Sequence, residues 1–205
     1  MQGYILAIHR VRDEDTIVTL LTPDYLHRLY RFYGARHSII NIGYKIDFEI
    51  EQNPKTTIER LRHVWQLPMG WFRDRERLHI WQRFVALFAS HLRDSSEIDP
   101  FYFTLLEDAA TLWQLKNPKR IVIESYIKLL AFEGRLHRHM ECFLCEMPLD
   151  EAVTLTRAFL PAHPACAYQE SFPLKGLQML LHEGQALLLE DDEVDRLYEI
   201  VLEGL

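Results

Sequence analysis

The first fifty residues read as strands, and 42–51 alternate between apolar and polar positions. Ile42, Tyr44, Ile46, Phe48 and Ile50 interleave with Gly43, Lys45, Asp47, Glu49 and Glu51. A period of two predicts a strand with one buried face. The stretches from Tyr4 to His9 and from Thr16 to Thr22 are rich in β-branched and aromatic residues, which fit strands. Pro23-Asp24 supplies a turn, and Leu26 to Tyr33 is the next predicted strand. Asn53-Pro54 closes the block, and Ile58 to Leu67 fits a strand or a short helix equally well. Several short strands with no crossover-length helix between the early ones predict a small antiparallel barrel.

The period then changes to that of a helix. Trp81, Phe84, Val85, Phe88 and Leu92 fall on one helical face. Asp99-Pro100 reads as an N-cap followed by proline at the first helical position, and Phe101, Leu105, Ala109 and Leu112 form the next face. Asn117-Pro118 repeats the device before Val122, Tyr126, Leu129 and Leu130, and Gly134 stands where a C-terminal cap belongs. Leu174 to Leu181 and Glu193 to Leu202 predict two more helices, the second with acidic residues at its dipole-favoured start. The expected architecture is α+β: a barrel domain over 1–70, then a helical bundle over 71–205 interrupted by a ligand-bearing insertion at 139–168.

Composition adds limits. The chain has 205 residues, 48% hydrophobic and 26% charged, which is ordinary globular usage. No apolar stretch approaches the roughly 18 residues of a membrane span. The N-terminal residues lack the basic and apolar regions of a signal peptide, and the three cysteines cluster. A reducing cytoplasm is the expected compartment. The net charge of −7 is unevenly spread: residues 1–50 are neutral, 51–140 carry +3 and 141–205 carry −10. An anion is thereby favoured at one end of the chain and repelled from the other.

All three cysteines belong to one element: Cys142-Phe-Leu-Cys145, seventeen residues, then His163-Pro-Ala-Cys166. Two knuckles of this kind, separated by about 15–20 residues, are the sequence form of a tetrahedral zinc site. Three thiolates and a neutral imidazole would fill every coordination position, so a structural Zn²⁺ is expected and no place is left for a catalytic water. His139 or His137 are alternatives to His163 as fourth ligand. The bland alternative is buried free cysteines acting as small hydrophobes. His139-Met-Glu141 abuts Cys142 directly, which does not suit a zinc deaminase. No G-x-S-x-G, phosphate-binding glycine loop or H-E-x-x-H occurs.

Leu26 to His37 interleaves cations with aromatics. Single-strand binders use both, cations for phosphates and rings for bases. In a strand, His27, Arg31 and Tyr33 share one face, and Arg28, Tyr30 and Phe32 the other. If the core takes the face with Phe32, the residues offered to a strand of DNA are His27, Arg31 and Tyr33. Arg73, Arg75, Arg77 and Lys119-Arg120 are second-rank cations, each better explained as a solvated helix surface.

Three stretches, in this order, resemble the RecO family of DNA repair and recombination mediators, in a short form. Glu14 to Thr22 resembles the family's strand ending in a Leu/Phe-Thr step. Tyr33-Gly-Ala-Arg-His-Ser38 resembles its basic Lys-Gly-Ala-Arg-Arg turn. Leu129-Leu130, Gly134 and the first knuckle, followed by Phe159 to Cys166, resemble its helix, glycine and zinc element. The resemblance implies an N-terminal OB-fold barrel, a helical domain and a zinc-ribbon-like insertion. It implies binding of single- and double-stranded DNA, annealing of complementary strands, and work beside RecR. It further implies contact with the acidic C-terminal tail of single-strand-binding protein and help in loading RecA, with no bond-making chemistry. By position, Arg36 and His37 fall on the basic turn, and Cys142, Cys145 and Cys166 fall on ligands. Tyr33 and His37 replace family cations, and His163 stands where members with a full site have a cysteine. The competing function class is a non-catalytic, zinc-stabilised protein-interaction scaffold with little intrinsic DNA binding, which the acidic last third supports. A zinc hydrolase is disfavoured because no carboxylate sits at ligand spacing beside an open position.

Overall fold

The computed structural model describes residues 1–36, 38–52, 57–139 and 141–205. It divides into two compact units, Met1–Gln114 and Leu115–Leu205.

Five strands open the first unit: β1 (Gln2–Arg12), β2 (Asp15–Leu21), β3 (Leu26–Arg31), β4 (Lys45–Glu51) and β5 (Arg60–Gln66). They close a barrel in the order β1-β2-β3-β5-β4, antiparallel except for the β3–β5 junction. That closed five-stranded order is the OB-fold, and closure leaves no free sheet edge. Ile5, Val18, Leu20, Leu29, Ile46, Phe48 and Leu61 fill its interior. The segment 58–67, open between strand and helix in the sequence, pairs with β4 as a strand. The strand predicted from Ile42 begins three residues later, at Lys45. Gly43 adopts φ +80°, and a Cβ there would meet the Trp81 ring at 2.7 Å. Its carbonyl accepts from Trp81 Nε1 at 2.7 Å. Residues 42–44 are therefore a turn that seats the next helix, and only glycine combines that φ with that closeness.

Helices α1 (Arg75–His91) and α2 (Pro100–Leu112) complete this unit. Asp74 caps α1 by accepting from the N–H groups of Glu76 and Arg77, and Asp99 caps α2 by accepting from Phe101. Trp81, Phe84, Val85 and Phe88 are buried on one face of α1. Trp81 meets Trp71 and Trp113 edge to face, Trp71 and Trp113 are tilted against each other, and the three rings, within 5.8 Å, form the aromatic seam of the unit. Tyr4 from β1 donates to Glu107 of α2, whose other oxygen takes Lys45 at 2.8 Å. By compactness, α1 and α2 thus group with the barrel, and the division falls after Gln114 rather than at the barrel's end.

The second unit is built on α3 (Pro118–Phe132) and α6 (Asp191–Leu202). Asn117 caps α3, and Glu190 with Glu193 forms a reciprocal capping box at α6. Val122, Tyr126, Leu129, Leu130, Val194, Leu197 and Val201 are buried. Between these helices lie β6 (Thr154–Leu155), β7 (Pro161–Ala162), α4 (Pro164–Ala167) and α5 (Leu174–Gln178). The helix expected over 174–181 loosens after Gln178 into a wide turn, Met179–Glu183, that ends at Gly184 with φ +71°. No helix among the described residues is long and apolar enough to cross a membrane.

Candidate metal centre and nucleic-acid interface

The two knuckles meet. One ligand atom each from Cys142, Cys145, His163 and Cys166 lies within 4.8 Å of all the others. The first knuckle turns because Glu146 N–H donates to the Cys142 carbonyl and Cys142 N–H to that of Met147. Phe143 N–H donates to Pro161 at 2.9 Å, which ties the knuckle to β7. His163 then leads into α4, with Pro164 at its first position, and Cys166 N–H donates back to the His163 carbonyl. Neither His137 nor His139 joins the cluster.

The donor set suits a metal ion. Ligands about 2.3 Å from a tetrahedral ion stand about 3.7 Å apart; His163 Nδ1 is 3.4 Å from the Cys145 sulfur and 3.9 Å from that of Cys166. His163 Nε2 is 3.1 Å from the Pro148 carbonyl, which can only accept, so Nε2 carries the proton and the Nδ1 lone pair faces the sulfurs. Burial pushes the Cys142 thiol up, but N–H groups of His163, Leu144 and Cys145 outweigh it and bring it down to about 6. The Cys166 thiol is pushed up to about 11 by its hydrogen bond with Cys145, with burial and Cys142 adding to it. Three sulfurs this close oppose one another's ionisation until a cation neutralises them. The cluster can hold a metal ion.

On the barrel, Leu29 decides which side of β3 is inward. It is 1% exposed and belongs to the barrel core. His27 and Arg31 share its side: the His27 Nε2 and Arg31 Nε atoms are buried and have no hydrogen-bond partner among the described residues. The condition under which His27 and Arg31 would be offered outward is therefore not met, because the core takes the opposite face from the one carrying Phe32. Burial lowers the His27 pKa, with Glu59 opposing, and lowers that of Arg31, with Arg62 adding to it. Tyr33 lies beyond the end of β3 with φ 51°, and is exposed. His37 lies outside the described residues.

The turn at 33–36 is held from below. Asp15 accepts from Tyr30 Oη at 2.6 Å and from Tyr33 N–H at 2.8 Å, and Ala35 N–H donates to the Glu14 carbonyl at 2.9 Å. Arg36 pairs with the Glu14 carboxylate and lies over the Tyr33 ring, 5.5 Å from its centroid. Its charge is thus already partly neutralised.

The outward side of β1–β3 opens differently. A groove of about 370 Å³ is floored by small residues, among them Ala7, Thr19 and Ala89, and flanked by His9, Arg28 and Arg93. Among the described residues no carboxylate lines it. The strand pattern placed Arg28 with Tyr30 and Phe32, but His9 and Arg93 come from β1 and the residues after α1, and nothing local in the sequence joins them. The outer surface of strands 2 and 3 is also the usual ligand side of an OB-fold.

No curated protein matches the sequence. Residues 1–72 match the family described as RecO N terminal, a span that covers the five barrel strands and stops before α1. Over these 72 residues the chain is similar to the RecO N-terminal family, and the match supports a RecO-family protein.

Proposed function

We propose that this protein is a recombination and repair mediator that binds single-stranded DNA, anneals complementary strands and, with RecR, helps load RecA onto strands coated by single-strand-binding protein. The observation that carries the reading is the RecO N-terminal match, which falls on a closed OB-fold barrel whose outer side bears a carboxylate-free basic groove. The work is non-catalytic. Annealing needs two polyanions screened and bases held open to pair. Released counterions supply the first and ring stacking the second. Arg28 and Arg93 are the leading phosphate contacts, with Tyr33 and Arg36 at the edge of the interface. Arg36 contributes less than its position in the turn suggests, because Glu14 holds it. His27 and Arg31 support the strand from its inner side.

The Cys₃His cluster is proposed as a structural zinc site. Four protein ligands complete a tetrahedron, and bound zinc would join the knuckle at 142–145 to the one at 163–166. Such a centre holds shape and performs no reaction.

The test is the anisotropy of a labelled oligothymidylate at increasing salt, with wild type and with Arg28→Ala/Arg93→Ala. Wild type should bind with an affinity that falls as salt rises. The double variant should lose about 1.4 from the log–log salt slope, about 0.7 for each lost phosphate contact. A wild type that ignores the oligonucleotide at low salt would move the protein to the scaffold class, and an unchanged slope would remove the groove from the interface.

A further inference from the structure

An open cleft of about 750 Å³ in the barrel unit lies over β4 and β5, away from the Arg28 groove. Its lining includes Arg31, Glu49, Glu51, Arg62, His63 and Trp65. Trp65 is 73% exposed, while the other three tryptophans are at most 5% exposed. An indole left in water on a strand is unusual enough to need a cause.

The cause is a bulge. Asp47 pairs with Trp65 and Glu49 with Arg62, so Phe48 faces two residues, His63 and Val64. Leu61 and Val64 both pack into the barrel core although they are three apart. Strict alternation would put Trp65 on the side of Leu61, facing inward. The inserted residue turns it outward, to the side of Arg62. This costs strain, because His63 takes φ 45°, a conformation that residues with a Cβ disfavour. The fold thus keeps a strained histidine whose consequence is a tryptophan plane in solvent.

The surroundings define what fits on that plane. Arg62 and His63 donate, Glu49 and Glu51 accept, and Arg62 already holds Glu51 at 3.0 Å. An aliphatic protein side chain in this cleft would desolvate these charged groups without pairing them. A planar heterocycle with donors and acceptors on its edge would stack on the indole and meet them. Arg31, whose Nη1 donates to the Leu61 carbonyl at 3.0 Å, reaches the cleft wall from the end of β3. We propose that Trp65 is a stacking platform for one unstacked nucleobase of a bound single strand, with Arg62 and Glu49 at the base edge. The inference rests on the single-strand-binding reading and adds a base site separate from the phosphate groove.

The experiment uses the full chain, an oligothymidylate, and a backbone of the same length and charge whose sugars carry no bases. Wild type should prefer the oligothymidylate to the abasic strand, and the bound oligonucleotide should shield the exposed tryptophan from iodide quenching. Trp65→Ala should weaken oligothymidylate binding about fivefold or more, as expected for a lost base stack, and should erase the preference without changing the salt slope. Trp65→Phe, which keeps a ring, should restore most of both. Circular dichroism checks that the exposed substitution leaves the fold intact. Unchanged oligothymidylate affinity in Trp65→Ala overturns the platform, even if the cleft then proves to serve a protein, and leaves the Arg28 and Arg93 reading standing. A wild type that binds neither strand overturns both.

Discussion

Gly34→Ala should break the turn that presents Arg36. A Cβ at Gly34 would overlap the Thr16 hydroxyl and stand 3.2 Å from Thr16 Cβ and Arg31 Cγ. Thr16 is 0% exposed, so its side chain has nowhere to retreat. Overpacking of this kind costs about 1–3 kcal/mol, and a forced off-rotamer Thr16 alone accounts for about 0.5–1.5 kcal/mol of it. We expect a loss of about 2 kcal/mol. Thr16 Oγ1 is buried with no hydrogen-bond partner among the described residues. Thr16→Ala therefore removes an unsatisfied group together with a methyl, and the two effects oppose each other, leaving a net change within about 1 kcal/mol. The double variant should recover most of the loss, with a coupling of about 1–2 kcal/mol. Urea unfolding followed by tryptophan fluorescence is the appropriate assay. Trp65, Trp71, Trp81 and Trp113 all lie within Met1–Gln114, so the signal reports this unit alone. With a urea slope of about 2 kcal/mol per molar, the Gly34→Ala midpoint should fall by about 1 M. An unchanged midpoint, or a double variant no better than Gly34→Ala, would refute the packing argument.

Two further outcomes follow from the site geometry. Tyr30 Oη and Tyr33 N–H hold the Asp15 carboxylate below its ordinary range. The folded state then binds this proton less readily than the unfolded chain, so its contribution to stability is complete above about pH 4 and is lost as pH falls through the lower folded value. Asp15→Asn should flatten that acid limb when stability is measured against pH, and an identical limb would discount the two hydrogen bonds. Elemental analysis should find about one zinc per chain, following the one four-ligand cluster among the described residues. Cys142→Ser and His163→Ala should lower that content and His137→Ala and His139→Ala should not; full zinc in His163→Ala would return the fourth ligand to its rivals.

Short-range patterns carried much of this fold. The alternation at 44–50 and the proline-supported caps at Asp99 and Asn117 are complete within a few residues, because turn and cap chemistry is local. The ligand spacing was equally legible, since two residues between cysteines are what one knuckle requires. Which of three histidines stands beside the sulfurs was not. It depended on β7 and α4 carrying His163 to the first knuckle, with Pro148 orienting its ring.

The same boundary runs through the barrel. A period of two separates His27, Leu29 and Arg31 from Arg28, Tyr30 and Phe32, but both sets are amphipathic, so alternation alone does not say which is inner. Leu29 settled that by meeting Val18, Phe48 and Leu61 in the core. The β5 bulge, which turns Trp65 to solvent, is likewise set by pairing with β4 rather than by any signal in residues 60–66. Sequence alone determined most strands and helices and the spacing of the two cysteine-bearing knuckles, because side-chain periodicity, turns and caps are local; 58–67 became a strand only by pairing with β4. Only the tertiary structure decided which side each element shows to solvent, because burial depends on residues far along the chain.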